Sequence, residues 1–432
     1  NLEGNMGMKY LTLCFVALFG GLSLAGQATK EEMLATPEKT AGVYYAYPAP
    51  KEYIATPPPK GYVPFYISHF GRHGSRFLLE ETEYTEVLSL MEKAEAAEAL
   101  TPLGKDALQR LRRVYEEAEG HAGDLSPLGI RQHRGIAERM YEAYPEVFAD
   151  GRTISARSSV ILRCAMSMAA FGDRLKELNP RLAITYESSQ KYMAYLTYRS
   201  PQAQEYIGPK APWRIEYEKF RRAQTHTDRF IASLFSDEEF VLKNVDPIET
   251  MWDFYWVASD MQNVETPVSF YDLFTPEELF DLWQCFNCLF YFADASPKGS
   301  DGVIIDSYKP LLRNIIESAD RAIADGNTAA TLRFAHDSNI TPLTGLLGVE
   351  NCGVSVDDPY TLYRHWADFK ISPMAANLQI VFFHEKKGDP KDDILVKVLL
   401  NEKEVHLPIE TDRFPFYRWE DFRAYCMGLL EE

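Results

Sequence analysis

Cysteine is scarce in this chain, with six among 432 residues. Five of the six follow residue 28, and an odd number leaves at least one thiol unpaired. Cys285 and Cys288 form a Cys-x-x-Cys, but no second one accompanies them to complete a zinc site. We therefore predict no metal and interpret the cysteines as structural, with any pairing among them left open: Cys164, Cys285, Cys288, Cys352 and Cys426.

Basic residues are also in deficit. The 45 lysines and arginines are outnumbered by 63 aspartates and glutamates, which gives a formal net charge of −18. Nucleic acids are bound by basic surfaces, so this balance argues against a nucleic-acid partner. It leaves room for a small anionic ligand in a local basic pocket.

Long apolar runs are missing except near the beginning of the sequence. Leu11 to Leu24 is uncharged and follows Lys9, but it is shorter than the ~20 residues of a membrane span. Small residues precede a cleavage point after Ala28. This pattern predicts a signal peptide over residues 1–28, in which 1–7 are a remnant before the start at Met8 (or Met6). We expect an exported protein, periplasmic or extracellular, with no membrane span.

Strand-like and helix-like segments alternate over residues 61–189 and 301–432. This alternation predicts an α/β core with a mixed, mostly parallel sheet flanked by helices. Residues 190–300 have few strand patterns and many aromatic residues at helical spacing, which predicts an inserted, mostly α-helical cap domain. Residues 29–60 are rich in proline, tyrosine and small residues, and are predicted to form an extended lead-in.

Two polar segments follow predicted strands. Arg72-His73-Gly74-Ser75-Arg76 comes after the strand that begins at Tyr62, and His336-Asp337 comes after the strand 330–335. Ligands of such sheets bind at the carboxyl ends of the strands. Arginines suit phosphate oxygens, and nearby cations favour a neutral, nucleophilic imidazole. We expect Gly74 to let the backbone approach a ligand closely. The alternative is a basic surface loop.

Together with three further stretches, these motifs resemble the histidine acid phosphatase family (branch 2). The further stretches are 125–133, the arginine-containing segment 156–167 and the strand 376–381. The resemblance implies that His73 becomes phosphorylated and that Asp337 acts as the general acid, with no cofactor and an acidic optimum. It also implies that the phosphoryl oxygens are bound by Arg72, Arg76, Arg163 and His336. Arg157 competes with Arg163 for the middle position.

The second motif departs from one subgroup. Multiple inositol polyphosphate phosphatases resemble this chain around residues 72–76, but normally carry His-Ala-Glu where this chain has His336-Asp337-Ser338. The His-Asp pattern is that of phytases and general acid phosphatases. Membership of the multiple-type subgroup is therefore open to question.

The distribution of charge suggests a substrate. Residues 191–229 contain eight basic and four acidic side chains, whereas 231–282 contain twelve acidic side chains and only Lys243 as a base. We hypothesise that the basic part faces the catalytic mouth through Lys219, Arg221 and Arg222, with His133 at the rim, and receives an inositol polyphosphate such as phytate. The alternatives are solvated charged faces, a broad-specificity acid or sugar phosphatase, and a non-catalytic phosphate-binding protein. The oligomeric state is not predicted.

Overall fold

An eight-stranded mixed sheet organises the chain in the computed structural model, which describes residues 29–51, 55–387 and 392–431. The predicted signal peptide lies outside these residues. Within the described ranges, none of the helices combines the length and the apolar character that crossing a bilayer requires.

The sheet has a parallel half and an antiparallel half. Strands run in the order β3-β2-β4-β1-β5-β6-β7, with β8 paired to β6, and the neighbours from β3 to β1 are parallel. This arrangement confirms the predicted α/β class. The strands are β1 (Tyr62–Arg72), β2 (Thr153–Ser158), β3 (Ala183–Ser188), β4 (Thr328–Ala335), β5 (Asn377–Glu385), β6 (Leu395–Leu400), β7 (Lys403–Glu404) and β8 (Phe416–Arg418).

Helices cover both faces of this sheet and form most of the middle of the chain. Those before residue 190 are α1 (29–35), α2 (Thr82–Ala96), α3 (Pro102–Ala118), α4 (Pro127–Ala143) and α5 (Leu162–Leu178). Those after residue 300 are α13 (Val303–Asp306), α14 (Lys309–Asp325), α15 (Asp337–Leu346), α16 (Asp368–Ile371) and α17 (Trp419–Glu431). A break separates α13 from α14, and Pro310 lies in the first turn of α14, where a missing N–H costs nothing.

The segment 190–300 is helical, as predicted. Its helices are α6 (Met193–Leu196), α7 (Pro201–Ile207), α8 (Trp213–Gln224), α9 (Asp228–Leu234), α10 (Glu238–Asn244), α11 (Pro247–Val264) and α12 (Pro276–Asp294). Trp252 and Phe254 of α11 belong to the same hydrophobic cluster as Phe382 of the sheet. The division into core and cap domains stays a prediction.

The extended conformation predicted for the lead-in is wrong over residues 29–44. Residues 29–35 are helical, and Pro37–Tyr44 forms a 3₁₀ segment with Val43 and Tyr44 buried. Gly42 has a φ of 58°, and a Cβ at this position would clash with the Asp368 carboxylate. Tertiary packing therefore decides the conformation of this segment, because its local composition favours turns.

Candidate active site

The ends of β1 and β4 are level with each other. Arg72 pairs with Ala335 in the parallel ladder, and the His73 N–H donates to the Ala335 carbonyl at 2.9 Å. His336 and Asp337 follow directly, so the two predicted motifs meet at one edge of the sheet. The ring centroids of His73 and His336 are 5.6 Å apart.

The tight turn after His73 packs against a helix. A Cβ on Gly74 would overlap the backbone of Gly129 in α4, and the Gly74 N–H donates to the Ser167 hydroxyl at 3.1 Å. Gly74 is therefore required for close helix packing, and the close approach of its backbone to a ligand stays a prediction.

Ser75 is hydrogen-bonded to the polar stretch 125–133. The Ser75 N–H donates to Gln132 Oε1 at 2.8 Å, and its hydroxyl donates to Asn263 Oδ1 at 2.7 Å. The Ser126 N–H donates to the Ser75 carbonyl at 2.9 Å. These bonds fix the turn that carries His73 and Arg76. Sequence reasoning missed Asn263, which lies on α11 and carries no local signal.

The tautomer of His73 follows from its hydrogen bond. Its Nδ1 lies 2.9 Å from the Gly74 carbonyl oxygen, which can only accept, so Nδ1 carries the proton. Nε2 is then left with a free lone pair. Burial lowers the pKa of His73 well below its ordinary value, and the neighbouring cations, Arg72 first, lower it further. The imidazole is therefore neutral and suited to act as a nucleophile.

Arg72 is buried at the end of β1. Its Nη1 donates to the Ser372 carbonyl at 2.7 Å and to the Val43 carbonyl, and its Nη2 lies 3.1 Å from Asp337 Oδ2. The lead-in therefore contributes to the site through Val43, which sequence reasoning missed.

Arg76 and Arg163 complete a group of cations. Arg76 donates to the Phe77 carbonyl at 2.7 Å, and its guanidinium lies 4.7 Å from the centre of the Tyr44 ring. Arg163, in the first turn of α5, lies 3.4 Å from the Gly123 carbonyl oxygen.

Each of these three arginines has one N–H group without a hydrogen-bond partner among the described residues. In Arg72, Arg76 and Arg163 the buried Nε has no hydrogen-bond partner among the residues that the structure describes. A buried donor without a partner costs free energy, and it is costlier still on a charged group. Three such donors near one neutral imidazole form a site for an anion with several oxygens.

The structure separates the two candidates for the middle arginine. Arg157 lies on β2, pairs with Glu187 at 3.1 Å and rests 4.3 Å from the centre of the Tyr192 ring. Arg163, in contrast, is joined to the turn after His73 through Ser167, whose hydroxyl donates to the Arg163 carbonyl at 2.8 Å and accepts from the Gly74 N–H at 3.1 Å. Geometry thus favours Arg163 for the middle position.

His336 and Asp337 begin α15. The His336 N–H donates to Asn339 Oδ1 at 3.2 Å, which fixes the turn. Burial lowers the pKa of His336 to about 4, although Asp337 opposes that shift. Cys164 lies 3.8 Å from His336 Nε2, and burial raises the pKa of its thiol to about 11.

Asp337 is ionised in the free site. Burial acts to raise its pKa, but Arg72, His336 and the Ser338 N–H, which donates to Oδ1 at 2.8 Å, together hold that pKa below its ordinary value. Uptake of a proton at this carboxyl therefore requires a further negative charge nearby.

His133 does not lie at the rim of a pocket, so that prediction is wrong. The side chain is fully buried in α4, 5.5 Å from Phe334 and 6.4 Å from Phe171 between ring centroids. Burial lowers its pKa to about 3. Its apolar environment makes it a core residue.

The basic residues of α8 are not brought to the strand ends either. Each is paired with an acidic side chain: Lys219 with Glu216 at 2.8 Å, Arg221 with Glu249 at 3.0 Å and Arg222 with Glu218 at 2.9 Å. Lys219 and Arg222 line a separate surface depression formed within residues 209–222. These pairs and this depression include no residue of the strand ends, so they do not support the basic mouth built from α8, which stays a prediction.

Metal-ligating side chains do not form a cluster in the described part of the chain. No group of three or more His, Cys, Asp or Glu side chains there is placed to hold a metal ion. The five described cysteines are all buried and unpaired, in keeping with a structural role.

Comparison of sequences identifies relatives of this chain. Residues 213–401 match the family model described as histidine phosphatase superfamily (branch 2). Multiple inositol polyphosphate phosphatase 1 of Gallus gallus is 22% identical over 398 residues, which cover 86% of this chain and 83% of that protein. The Homo sapiens protein of the same name is 27% identical over 135 residues, covering 28% and 26%.

Solved structures share the fold. The multiple inositol polyphosphate phosphatase of Bifidobacterium longum, in complex with phosphate, superposes with a TM-score of 0.76 at 20% identity, covering 90% of this chain and 97% of that one. The phytase from D. castellii superposes with a TM-score of 0.66 at 14% identity, covering 91% and 85%.

Proposed function

We propose that this chain is a member of branch 2 of the histidine phosphatase superfamily and hydrolyses phosphomonoesters through a phosphohistidine at His73. The observation that carries the proposal is the neutral His73 imidazole beside three arginines with unpartnered buried Nε groups. A phosphoryl group supplies the oxygens that these donors lack.

In the first step, the lone pair of His73 Nε2 attacks phosphorus and the bond from phosphorus to the ester oxygen breaks. The developing charge on the phosphoryl oxygens is stabilised by Arg72, Arg76, Arg163 and His336. The proton of Asp337 passes to the leaving alkoxide, which departs as the alcohol.

In the second step, water attacks phosphorus and gives a proton to the Asp337 carboxylate. The bond from phosphorus to Nε2 breaks, so phosphate leaves and the neutral imidazole returns. Because Asp337 is ionised in the free site, the bound phosphoryl group must raise its pKa before the first step. Activity is therefore highest in acid and falls as the pH rises.

Inositol polyphosphates such as phytate are the substrates that we propose. The relatives and structural neighbours described above carry the names of inositol polyphosphate phosphatases and phytases, which supports this class. The His336-Asp337 motif differs from the multiple-type pattern, although similarity to a protein of that name extends over 86% of the chain.

The test is phosphate release from phytate and from p-nitrophenyl phosphate at acidic pH, with and without EDTA. His73→Ala should lower kcat by at least ~1,000-fold on both substrates, since it removes the nucleophile. EDTA should leave wild-type activity unchanged. The ratio between the substrates measures the preference for phytate over simple esters.

A matched control is His226→Ala, because His226 is an exposed histidine of the helical region. It should retain wild-type activity. Trapping of acid-labile phosphate on the wild type but not on His73→Ala would support the intermediate directly. Full activity of His73→Ala, or loss of activity with EDTA alone, would contradict the mechanism.

A further inference from the structure

Tyr44, at the end of the segment Pro37–Tyr44, lies against Arg76. The Arg76 guanidinium is placed over the Tyr44 ring, 4.7 Å from its centre, and both residues are buried. The face of an aromatic ring attracts a cation through its quadrupole and carries no net charge. Burial raises the pKa of Tyr44, so the phenol stays neutral. The ring can therefore hold the guanidinium without cancelling the positive charge that an anion needs.

Arg76 depends on this contact more than Arg72 depends on any one of its own. Arg72 is fixed by two backbone carbonyls and by Asp337. Arg76 donates from Nη1 to the Phe77 carbonyl at 2.7 Å, and its Nε has no partner among the described residues. A long side chain held at one atom keeps rotational freedom that must be lost when it binds a ligand. The Tyr44 ring supplies a second point of attachment.

Tyr44 is itself held in place by α11 and α12. Its carbonyl accepts from Asn263 Nδ2 at 2.8 Å, and its ring packs edge-on against Phe286, with centroids 5.6 Å apart. Asn263 Oδ1 also accepts from the hydroxyl of Ser75, the residue before Arg76, at 2.7 Å. One side chain of α11 is thus hydrogen-bonded both to the residue that carries the ring and to the turn that carries the guanidinium.

We infer that Tyr44 is a positioning residue, whose ring holds the Arg76 guanidinium in the orientation that the transferred phosphoryl group requires. The inference rests on the proposed phosphatase function, since Arg76 acts there on the phosphoryl oxygens. It extends the machinery of the site to the segment Pro37–Tyr44, which precedes the sheet in the chain. All phosphomonoesters share the phosphoryl group, so the loss of this residue should affect them alike.

The experiment measures kcat/KM on phytate and p-nitrophenyl phosphate for Tyr44→Leu and Tyr44→Phe, alone and combined with Arg76→Met. Tyr44→Leu removes the ring face and should lower kcat/KM roughly tenfold on both substrates. Tyr44→Phe keeps the ring face and should stay within about threefold of the wild type. In the Arg76→Met background, Tyr44→Leu should lower kcat/KM by less than about twofold, since the cation that the ring positions is gone.

Binding of inorganic phosphate, measured by calorimetry, is a second readout and needs no turnover. The dissociation constant should rise in Tyr44→Leu and should not differ between Arg76→Met and the double variant. If Tyr44→Leu does not fold, pentafluorophenylalanine is compared with phenylalanine at position 44. The two rings are close in shape, but fluorination reverses the charge of the face, so kcat/KM and phosphate affinity should both fall.

Tyr192→Leu is the matched control, because Tyr192 is also buried and its ring lies 4.3 Å from the guanidinium of Arg157, which pairs with Glu187. Its kcat/KM should stay within about twofold of the wild type on both substrates. Thermal unfolding of each variant checks that the fold is kept.

Unchanged kcat/KM in a folded Tyr44→Leu would overturn the inference. A loss in Tyr44→Phe as large as that in Tyr44→Leu would overturn it too, because the hydroxyl would then be responsible. Equal losses from Tyr44→Leu with and without Arg76 would leave Tyr44 a structural role only. If the wild type releases phosphate from neither substrate, the proposed function fails. A phosphate affinity that depends on Tyr44 only when Arg76 is present would still support the positioning.

Discussion

At the carboxyl ends of β1 and β4, Asp337 lies among several cations, whereas two more deeply buried aspartates of the helices have fewer charged neighbours. Asp260 of α11 accepts from Tyr84 and Asn263, and Asp294 of α12 pairs with Arg199. Burial acts to raise the pKa of every one of these carboxyl groups. At Asp337 the combined effect of Arg72, His336 and the Ser338 N–H exceeds that of burial and lowers the pKa. In the helices, burial dominates and raises the pKa of Asp260 to about 7 and that of Asp294 to about 6.

Aspartate carboxyl groups thus have a lowered pKa at the strand ends and a raised pKa in the helices. As the pH falls below about 6, Asp260 and Asp294 take up protons and lose their negative charge. The arginines near His73 keep their positive charge, so the net charge around the site becomes more positive in acid. Both regions therefore favour binding of an anionic substrate at low pH, and the predictions below test each region in turn.

Among the substitutions at the strand ends considered below, Asp337→Asn should have the largest effect on activity. Because the amide cannot donate a proton to the leaving alkoxide, kcat/KM on phytate should fall by roughly 100-fold or more. The loss of kcat/KM on p-nitrophenyl phosphate should be smaller, since nitrophenolate leaves without protonation. Steady-state kinetics at several pH values on both substrates measure the difference.

Asp320→Asn provides the control for this change, since Asp320 pairs with Arg423 away from the strand ends. It should show wild-type kinetics. Identical losses of kcat/KM on the two substrates in Asp337→Asn would contradict protonation of the leaving alkoxide by Asp337. The role of Asp337 would then be confined to hydrolysis of the phosphohistidine, which both substrates share, or to holding Arg72 in place.

Arg163→Met should have the next largest effect. Removal of one phosphoryl-binding cation should lower kcat/KM by roughly 10- to 100-fold on either substrate. Arg157→Met is the matched variant, and because Arg157 is paired with Glu187 it should stay within about twofold of the wild type. A greater loss in Arg157→Met would exchange the two roles.

The catalytic edge could be predicted from the sequence because parallel strands align their ends. A residue that directly follows β1 or β4 has a known position once the strands are recognised, and Arg72, His73, His336 and Asp337 all lie where that reasoning predicts.

The helical region could be predicted only as helical. A count of charges does not say which side of a helix faces the site, so it does not distinguish Lys219 and Arg222, which line a depression of their own, from bases that face the strand ends. The prediction of an extended lead-in failed for a related reason. Val43 and Tyr44 are held by contacts far away in sequence, such as the bond from the Val43 N–H to Asp368 at 3.1 Å.

Asp260→Asn tests the buried aspartates of the helices, by its effect on the stability of the fold. Tyr84 donates to Asp260 Oδ2 at 3.2 Å and Asn263 donates to Oδ1 at 3.3 Å, so an asparagine is close in shape and charge to the protonated carboxyl. The pKa of about 7 in the folded protein lies above the ordinary value of 3.8. The folded state therefore holds a proton that the unfolded state has released between these two values.

The sign of the effect follows from that difference in bound protons. Stability from the protonated Asp260 is fully present below the unfolded pKa and is lost as the pH rises toward the folded one, by up to about 1.4 kcal/mol per pH unit. Asp260→Asn does not titrate, so its free energy of unfolding relative to wild type should increase from acidic to neutral pH. Urea unfolding at several pH values measures this difference, with the exposed Asp228→Asn as the control. Parallel curves for Asp260→Asn and wild type would mean that Asp260 keeps an ordinary pKa. Arg76 would then offset the effect of burial on this carboxyl, and the aspartates of the two regions would not differ in the direction predicted.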